Sequence, residues 1–309
     1  MKFTKPKFWA EKNIFLPLLL IPISFFIQFL SIVKSKLVSK HSFSIPVVCV
    51  GNIYIGGTGK TPSSIMIVKE LKKHGKNPAL IRKYYSDHND EHKLIKDHID
   101  CFFLNKKRSK AINDAENAKH DVAILDDGFQ DHSIKRNLNI LCFNSNQLIG
   151  NGMTFPSGPL RENINSVKRA QIILINGEND VSFERKIFNI SKQTKIFYSR
   201  YILTNIESLK NKKLFAFAGI GNPENFFRLL NKSNLNVKKK FIFPDHYKFK
   251  KFEIKKMIDE SLENDLKLVT TEKDYARIKE YGFKNIQEIK VKLEVQNKDL
   301  FINEILNYI

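Results

Sequence analysis

Acidic residues are in short supply: 32 Asp and Glu stand against 52 Lys and Arg in 309 residues, a formal charge of +20. That imbalance excludes an acidic surface. It points to an anionic partner (nucleic acid, acidic lipid or a phosphorylated substrate) or to lysines that are merely solvated. Cysteine is scarce too. Cys49, Cys101 and Cys142 are isolated within apolar runs, which excludes a CxxC zinc pattern and a secreted disulfide framework and points to a reducing cytosolic compartment. No repeat of fixed period and no low-complexity tract occurs, and 42% of residues are hydrophobic. A globular protein of one large or two compact domains is therefore expected. Aromatic and basic residues do not interleave as in nucleic-acid modules, so no nucleic acid is expected as a partner.

What is present begins at the N-terminus. Ile14 to Val33 forms 20 consecutive residues without a charge, flanked by Lys2, Lys5, Lys7 and Lys12 before and Lys34, Lys36 and Lys40 after. Such a run can cross a hydrocarbon core about 30 Å thick. Basic residues at both ends give no orientation bias, and no small-residue cleavage site follows to suggest a signal peptide. Pro17 and Pro22 interrupt the run. A full span, a segment lying in the interface and a buried core helix stay open, with membrane association favoured.

Short apolar runs then recur: Ile45–Val50, Pro78–Ile81, Cys101–Leu104, Val122–Leu125, Leu138–Phe143 and Ile172–Ile175. Helix-like stretches separate most of them, such as Thr61–His74 with Ile65, Val68 and Leu71 at helical spacing. Alternation of this kind predicts an α/β fold: a P-loop NTPase-like, mostly parallel sheet with helices on both faces. The pattern weakens from Lys186 to Lys213 and resumes with strands at Leu214–Ala218, Lys239–Phe243 and Leu266–Thr270 and helices at Pro223–Leu230 and Lys251–Leu262. The expected domains are a membrane-associated segment at 1–42, a P-loop kinase domain at 43–200 and a smaller α/β domain at 201–309.

The strongest chemical signal runs from Val50 through Tyr54-Ile55-Gly56-Gly57-Thr58-Gly59-Lys60-Thr61. It follows an apolar strand and opens a helix, the setting a phosphate loop needs. Glycines let amides turn toward phosphate oxygens, and the helix N-terminus favours the anion. Lys60 is expected to reach the β- and γ-phosphates and Thr61 to ligate Mg²⁺, so residues 54–61 are read as the ATP site. The first glycine of GxxxxGK[ST] falls at Tyr54. Downstream, Val122–Leu125 ends in Asp126-Asp127, with Asp126 the acid beside the magnesium shell and Asp127 its helper. Thr271-Glu272-Lys273-Asp274 sets its lysine one place too late for guanine recognition, so ATP is preferred. Partitioning and anion-pump ATPases share the GGxGKT core, and a membrane-associated ATPase switch of that class is the alternative reading. Their signature lysine is Ile55 here.

Several stretches in order resemble the tetraacyldisaccharide 4′-kinases, the lipid A 4′-kinases. They are Val50-Gly51-Asn52 with Gly56–Pro62, Asp126-Asp127-Gly128-Phe129-Gln130, and Pro156-Ser157-Gly158-Pro159-Leu160-Arg161-Glu162. Phe217–Pro223, Phe243-Pro244-Asp245-His246 and Thr271–Asp274 complete the series. The resemblance implies phosphorylation of a lipid A disaccharide precursor, a tetraacyldisaccharide 1-phosphate, to lipid IVA. It also implies two α/β/α domains with ATP in the cleft between them. It makes Asp90 the group that accepts or orients the hydroxyl proton, with His246 as its partner. It brings Arg161, Glu162 and Gln130 to the phosphates or metal. It sets the enzyme on the anionic cytoplasmic face of a bacterial inner membrane.

Overall fold

Where β-branched residues run together the chain extends, and where apolar residues recur every three or four positions it coils. A computed structural model describes residues 6–9, 15–85, 89–245 and 247–309, without the side chains at 7, 89–91, 93 and 94. In chain order come α1 (Phe15–Leu37), β1 (Val47–Gly51), α2 (Lys60–Lys73), β2 (Pro78–Lys83), α3 (Asn89–His98), β3 (Phe102–Asn105) and α4 (Arg108–Asn117). Next are β4 (Val122–Asp126), β5 (Leu138–Asn144), β6 (Ile172–Asn176), α5 (Val181–Ile190) and β7 (Lys195–Leu203). The remainder holds β8 (Lys213–Ala218), α6 (Pro223–Lys232), β9 (Asn236–Ile242), α7 (Lys251–Glu263), β10 (Lys267–Thr271), α8 (Glu272–Ile278), β11 (Ile286–Ile289), β12 (Val291–Val295) and α9 (Lys298–Leu306).

An eight-stranded sheet has the order β12-β7-β6-β5-β1-β4-β2-β3, and a four-stranded sheet has β11-β10-β8-β9. The pairings from β3 across to β7 are parallel, as are all those of the smaller sheet. β1, β4, β5 and β6 are buried along their whole length, as strands covered by helices on both faces must be. In the smaller sheet, alternate residues of β8 serve two cores. Leu214, Ala216 and Ala218 meet Phe226, Phe227 and Leu230 of α6. Phe215 and Phe217 meet Ile254, Met257 and Ile258 of α7.

The chain divides into two units: Met1–Tyr84 with Cys101–Arg200 and Val295–Ile309, and Tyr85–Asp100 with Tyr201–Glu294. Residues 201–309 therefore do not stay together, as a continuous C-terminal domain requires. The last helix joins the first unit because Phe301, Ile302 and Ile305 are fully buried and Phe301 meets Phe197 of β7 edge-on at 5.2 Å. Helix α3 joins the second unit, where His98 Nε2 lies 3.5 Å from Glu272 Oε1. Neither contact leaves a trace in local sequence periodicity.

Helix α1 is amphipathic in the inverse sense. Phe15, Phe25, Phe26 and Phe29 are each more than half exposed, while Pro17 and Ser24 are its buried residues. By length and composition it can cross a membrane, and only 11% of its most apolar window is buried. A helix that served the core would bury the opposite face. The outward apolar face is what the membrane-associated reading of this segment requires.

Candidate active site

The strand register assembles the centre of the site. Val50 of β1 lies beside Asp126 of β4, and Asp126 lies beside Arg82 of β2. All three stand at strand carboxyl ends, the edge where parallel α/β sheets bind ligands. The phosphate loop leaves β1 there and re-enters helix at Lys60. Gly56 and Gly59 have φ of 127° and 88°, values that a side chain would resist. Gly59 caps α2 without any side-chain hydrogen bond, and the first turn of α2 holds no acid. Its leading amides are thus left for an anion.

Asn52 does the work of the absent glycine at position 54. Its Nδ2 donates to the carbonyl of Tyr54 at 2.6 Å, the carbonyl of Gly56 at 3.3 Å and Oγ1 of Thr58 at 3.0 Å. Tyr54 is buried and contributes backbone rather than a phenol at the loop surface. Ile55 spends its amide on the Pro159 carbonyl at 2.8 Å.

Two adjacent carboxylates sit in opposite electrostatic settings. Asp126 is fully buried, and burial pushes its carboxyl above the ordinary value against the pull of Arg82. Its Oδ2 accepts from Arg82 Nη1 at 2.7 Å and from Thr61 Oγ1 at 2.9 Å, and its Oδ1 from Ser64 Oγ at 3.3 Å. Burial acts the same way on Asp127, but Lys60 and Arg161 overcome it and hold that carboxyl below its ordinary value. Asp127 Oδ1 lies 2.9 Å from Arg161 Nη1 and 3.7 Å from Lys60 Nζ. Asp127 adopts a left-handed φ of 57°, and Arg108 donates to its carbonyl at 2.6 Å. Burial lowers the Lys60 ammonium below its ordinary value, with Asp127 opposing. Its side chain is 13% exposed. A desolvated ammonium held by a single acid is poised to exchange that partner for phosphate oxygens.

Gln130 accepts from Arg161 Nη1 at 3.3 Å and donates to Glu162 Oε1 at 3.1 Å. Glu162, read from the resemblance as a metal ligand, gives its other oxygen to Arg169. Burial raises its pKa while Arg169 opposes. Both oxygens are therefore engaged in this structure, one by Gln130 and one by Arg169. Asp90 lies in the first turn of α3, in the second unit, with its side chain outside the described residues, and His246 lies outside the described residues altogether.

Among the described residues no three His, Cys, Asp or Glu side chains gather to hold a metal ion. A hydroxyl at Thr61 beside the Asp126 carboxylate still fits magnesium, which binds few protein ligands and arrives with phosphates and water. Arg82, Arg108, Arg169 and Asn52 were not read as site residues. Arg82 carried a usable signal, a guanidinium within the apolar strand Pro78-Ala79-Leu80-Ile81, where burial demands a partner.

Thr271–Asp274, the stretch that resembled a base-recognition motif, closes a different loop. Asp274 accepts from the Gly219 amide at 2.8 Å and from Thr271 Oγ1 at 2.8 Å, and Arg277 bridges Asp274 and the Gly219 carbonyl. It is a structural clamp on Phe217–Pro223.

A parallel sheet that ends in an uncapped phosphate loop, a paired Thr61–Asp126 and a desolvated lysine defines a P-loop nucleotide enzyme. The family model for LpxK, Tetraacyldisaccharide-1-P 4′-kinase, matches residues 16–309. The chain belongs to this kinase family. Similar proteins include the Tetraacyldisaccharide 4′-kinase of Pelagibacter ubique, 37% identical over 99% of this chain and 98% of its own length. That of Rickettsia canadensis is 33% identical over 98% and 97%. Among solved structures, "apo" form LpxK from Aquifex aeolicus in complex with ATP shares the fold, with a TM-score of 0.74 and 22% identity over 95% of this chain and 99% of that one.

Proposed function

We propose that this chain transfers the γ-phosphoryl group of ATP to the 4′-hydroxyl of a tetraacyldisaccharide 1-phosphate, yielding lipid IVA and ADP. The observation that carries the reading is the Lys60–Asp127–Arg161 cluster beside the uncapped start of α2, in a chain of this family. Phosphoryl transfer asks a protein chiefly for position and charge. The amides of residues 56–61 hold the triphosphate. Lys60 leaves Asp127 for the transferring group, and Arg161 compensates charge on the same side. Thr61 and Asp126 would hold magnesium, which would supply charge neutralisation at the β- and γ-phosphates. Arg82, whose Nη1 lies 2.7 Å from Asp126 Oδ2, favours the ionised carboxylate that this role needs. Asp90 takes or orients the hydroxyl proton and His246 fixes its direction, as the family resemblance implies. Gln130 and Glu162 hold Arg161 and Arg169 in place.

A four-chain lipid does not leave the bilayer cheaply, so the enzyme works where α1 reaches it. The lysine excess suits the anionic cytoplasmic face, where each basic group near the surface contributes about 1 kcal/mol. Purified full-length protein, incubated in detergent micelles with labelled ATP, Mg²⁺ and the disaccharide 1-phosphate, should label the lipid. Well-folded protein that hydrolyses ATP yet leaves the lipid unlabelled would contradict the assignment.

A further inference from the structure

The membrane helix is tied to the catalytic loop by polar side chains on its inner face. Ser24 is 4% exposed in the middle of an otherwise outward-facing apolar helix. Its hydroxyl donates to the Thr154 carbonyl at 3.0 Å or to Ser157 Oγ at 2.8 Å, and it accepts from the Ser157 amide at 3.0 Å. One turn on, Gln28 Nε2 donates to the carbonyl of Arg161 at 3.1 Å. The amide of that same Arg161 donates to the Ile53 carbonyl at 2.7 Å, and the Ile55 amide donates to Pro159 at 2.8 Å. Arg161 Nη1 then reaches Asp127 and Gln130. A continuous hydrogen-bonded path therefore runs from α1, through residues 154–161, to the phosphate loop and to the guanidinium beside Lys60. A helix that needed only to enter lipid would have no use for a buried serine and a half-buried glutamine on its protein side, since desolvating them costs free energy unless they are bonded.

We infer that Ser24 and Gln28 are positioning residues, through which the seat of α1 sets the placement of Arg161 and so couples phosphoryl transfer to membrane engagement. The inference rests on the proposed kinase reading. Neither side chain touches nucleotide; both act through the backbone of residues 154–161. The expected signature is a fall in kcat with little change in the KM for ATP, because the amides of 56–61 stay in place while the charge that stabilises the transition state wanders.

The test uses full-length protein with Ser24→Ala, Gln28→Leu and the double variant, plus Ser24→Thr as the conservative partner. Each is assayed in lipid–detergent micelles and floated with anionic vesicles. The double variant should float as wild type does and keep its KM for ATP within about twofold, while kcat falls about tenfold. Ser24→Thr, which keeps the hydroxyl, should retain at least half the wild-type kcat. Hydrogen exchange gives a reading independent of activity: the Arg161 and Ile55 amides should exchange about tenfold faster in the double variant. Unchanged kcat with unchanged exchange would overturn the inference. So would loss of flotation with kcat intact at saturating lipid, which would make the pair an anchor alone. If wild-type protein transfers no phosphate to lipid, the kinase reading fails by itself, and the exchange measurement still decides whether α1 holds the loop.

Discussion

Each unit of this protein carries a strand, a glycine-containing loop and a helix, and the two loops are finished in opposite ways. In the first unit β1 leads through Gly56–Gly59 into α2, whose N-terminus has no side-chain cap and no acid in its first turn. In the second unit β8 leads through Gly219–Gly221 into α6. There Asn222 caps the Asn225 amide, Pro223 opens the helix and Glu224 sits in the first turn. Asp274 occupies the Gly219 amide with its own carboxylate. The first loop keeps its donors for an outside anion, and the second satisfies them internally. Glycine content alone does not mark a phosphate site; the first loop stands apart because Gly56 to Gly59 leads into the uncapped, acid-free start of α2 at Lys60.

The sharpest way to break this contrast is Lys60→Ala. Removing the ammonium should cut phosphoryl transfer by at least about a hundredfold, as loss of a charge-stabilising donor does. Steady-state assay of lipid labelling reads it, and a loss under about fivefold would move the catalytic charge elsewhere. In the second unit the largest effect should be on stability. Asp274→Ala leaves Arg277 and the Gly219 amide without their carboxylate, at a cost of about 3 kcal/mol in denaturant unfolding. The near-isosteric Asp274→Asn should leave the ATP Kd of folded protein within about threefold, since the clamp closes a loop that binds no phosphate. A large loss of ATP affinity in Asp274→Asn would erase the distinction between the loops.

Acid titration sharpens it further. Lys60 and Arg161 hold Asp127 below the ordinary carboxyl value of 3.8. Its contribution to stability is therefore complete above that value and is lost as pH falls through the folded-state pKa. Burial pushes Asp274 above 3.8 despite the Gly219 amide. Its charged form is disfavoured in the folded state, so its contribution declines as pH rises past 3.8 toward the higher folded value. Melting curves between about pH 3 and pH 5 should thus show a shallower acid limb for Asp127→Asn and a steeper one for Asp274→Asn. Identical limbs would contradict the opposed settings. The smallest effect should come from the cap: Asn222→Ala should cost about 1 kcal/mol and leave lipid labelling unchanged.

Much of this was legible in the sequence because the decisive signals are local. Val47-Val48-Cys49-Val50 reads as a buried strand, Gly59-Lys60-Thr61 as its exit into helix, and the strand ending at Asp126 as the companion. What escaped depends on contacts distant along the chain. Strand β7 is half exposed and lacks clean alternation, so its region reads as a weakened pattern. Helix α9 reveals its allegiance only when Phe301 meets Phe197. Arg82 lies 44 residues from Asp126 in sequence and becomes its partner only through the β2–β4 register. Asn52 reads as one more motif letter in the sequence, and only the folded loop brings its amide to Tyr54, Gly56 and Thr58.

Isothermal titration of full-length protein with ATP and Mg²⁺ tests the central claim most directly. The uncapped loop at 56–61 should give saturable binding at one nucleotide per chain, weakened at least about tenfold in Lys60→Ala. Wild-type protein that is folded by circular dichroism yet releases no binding heat at any tested temperature, or a Lys60→Ala isotherm that overlays the wild type, would contradict it.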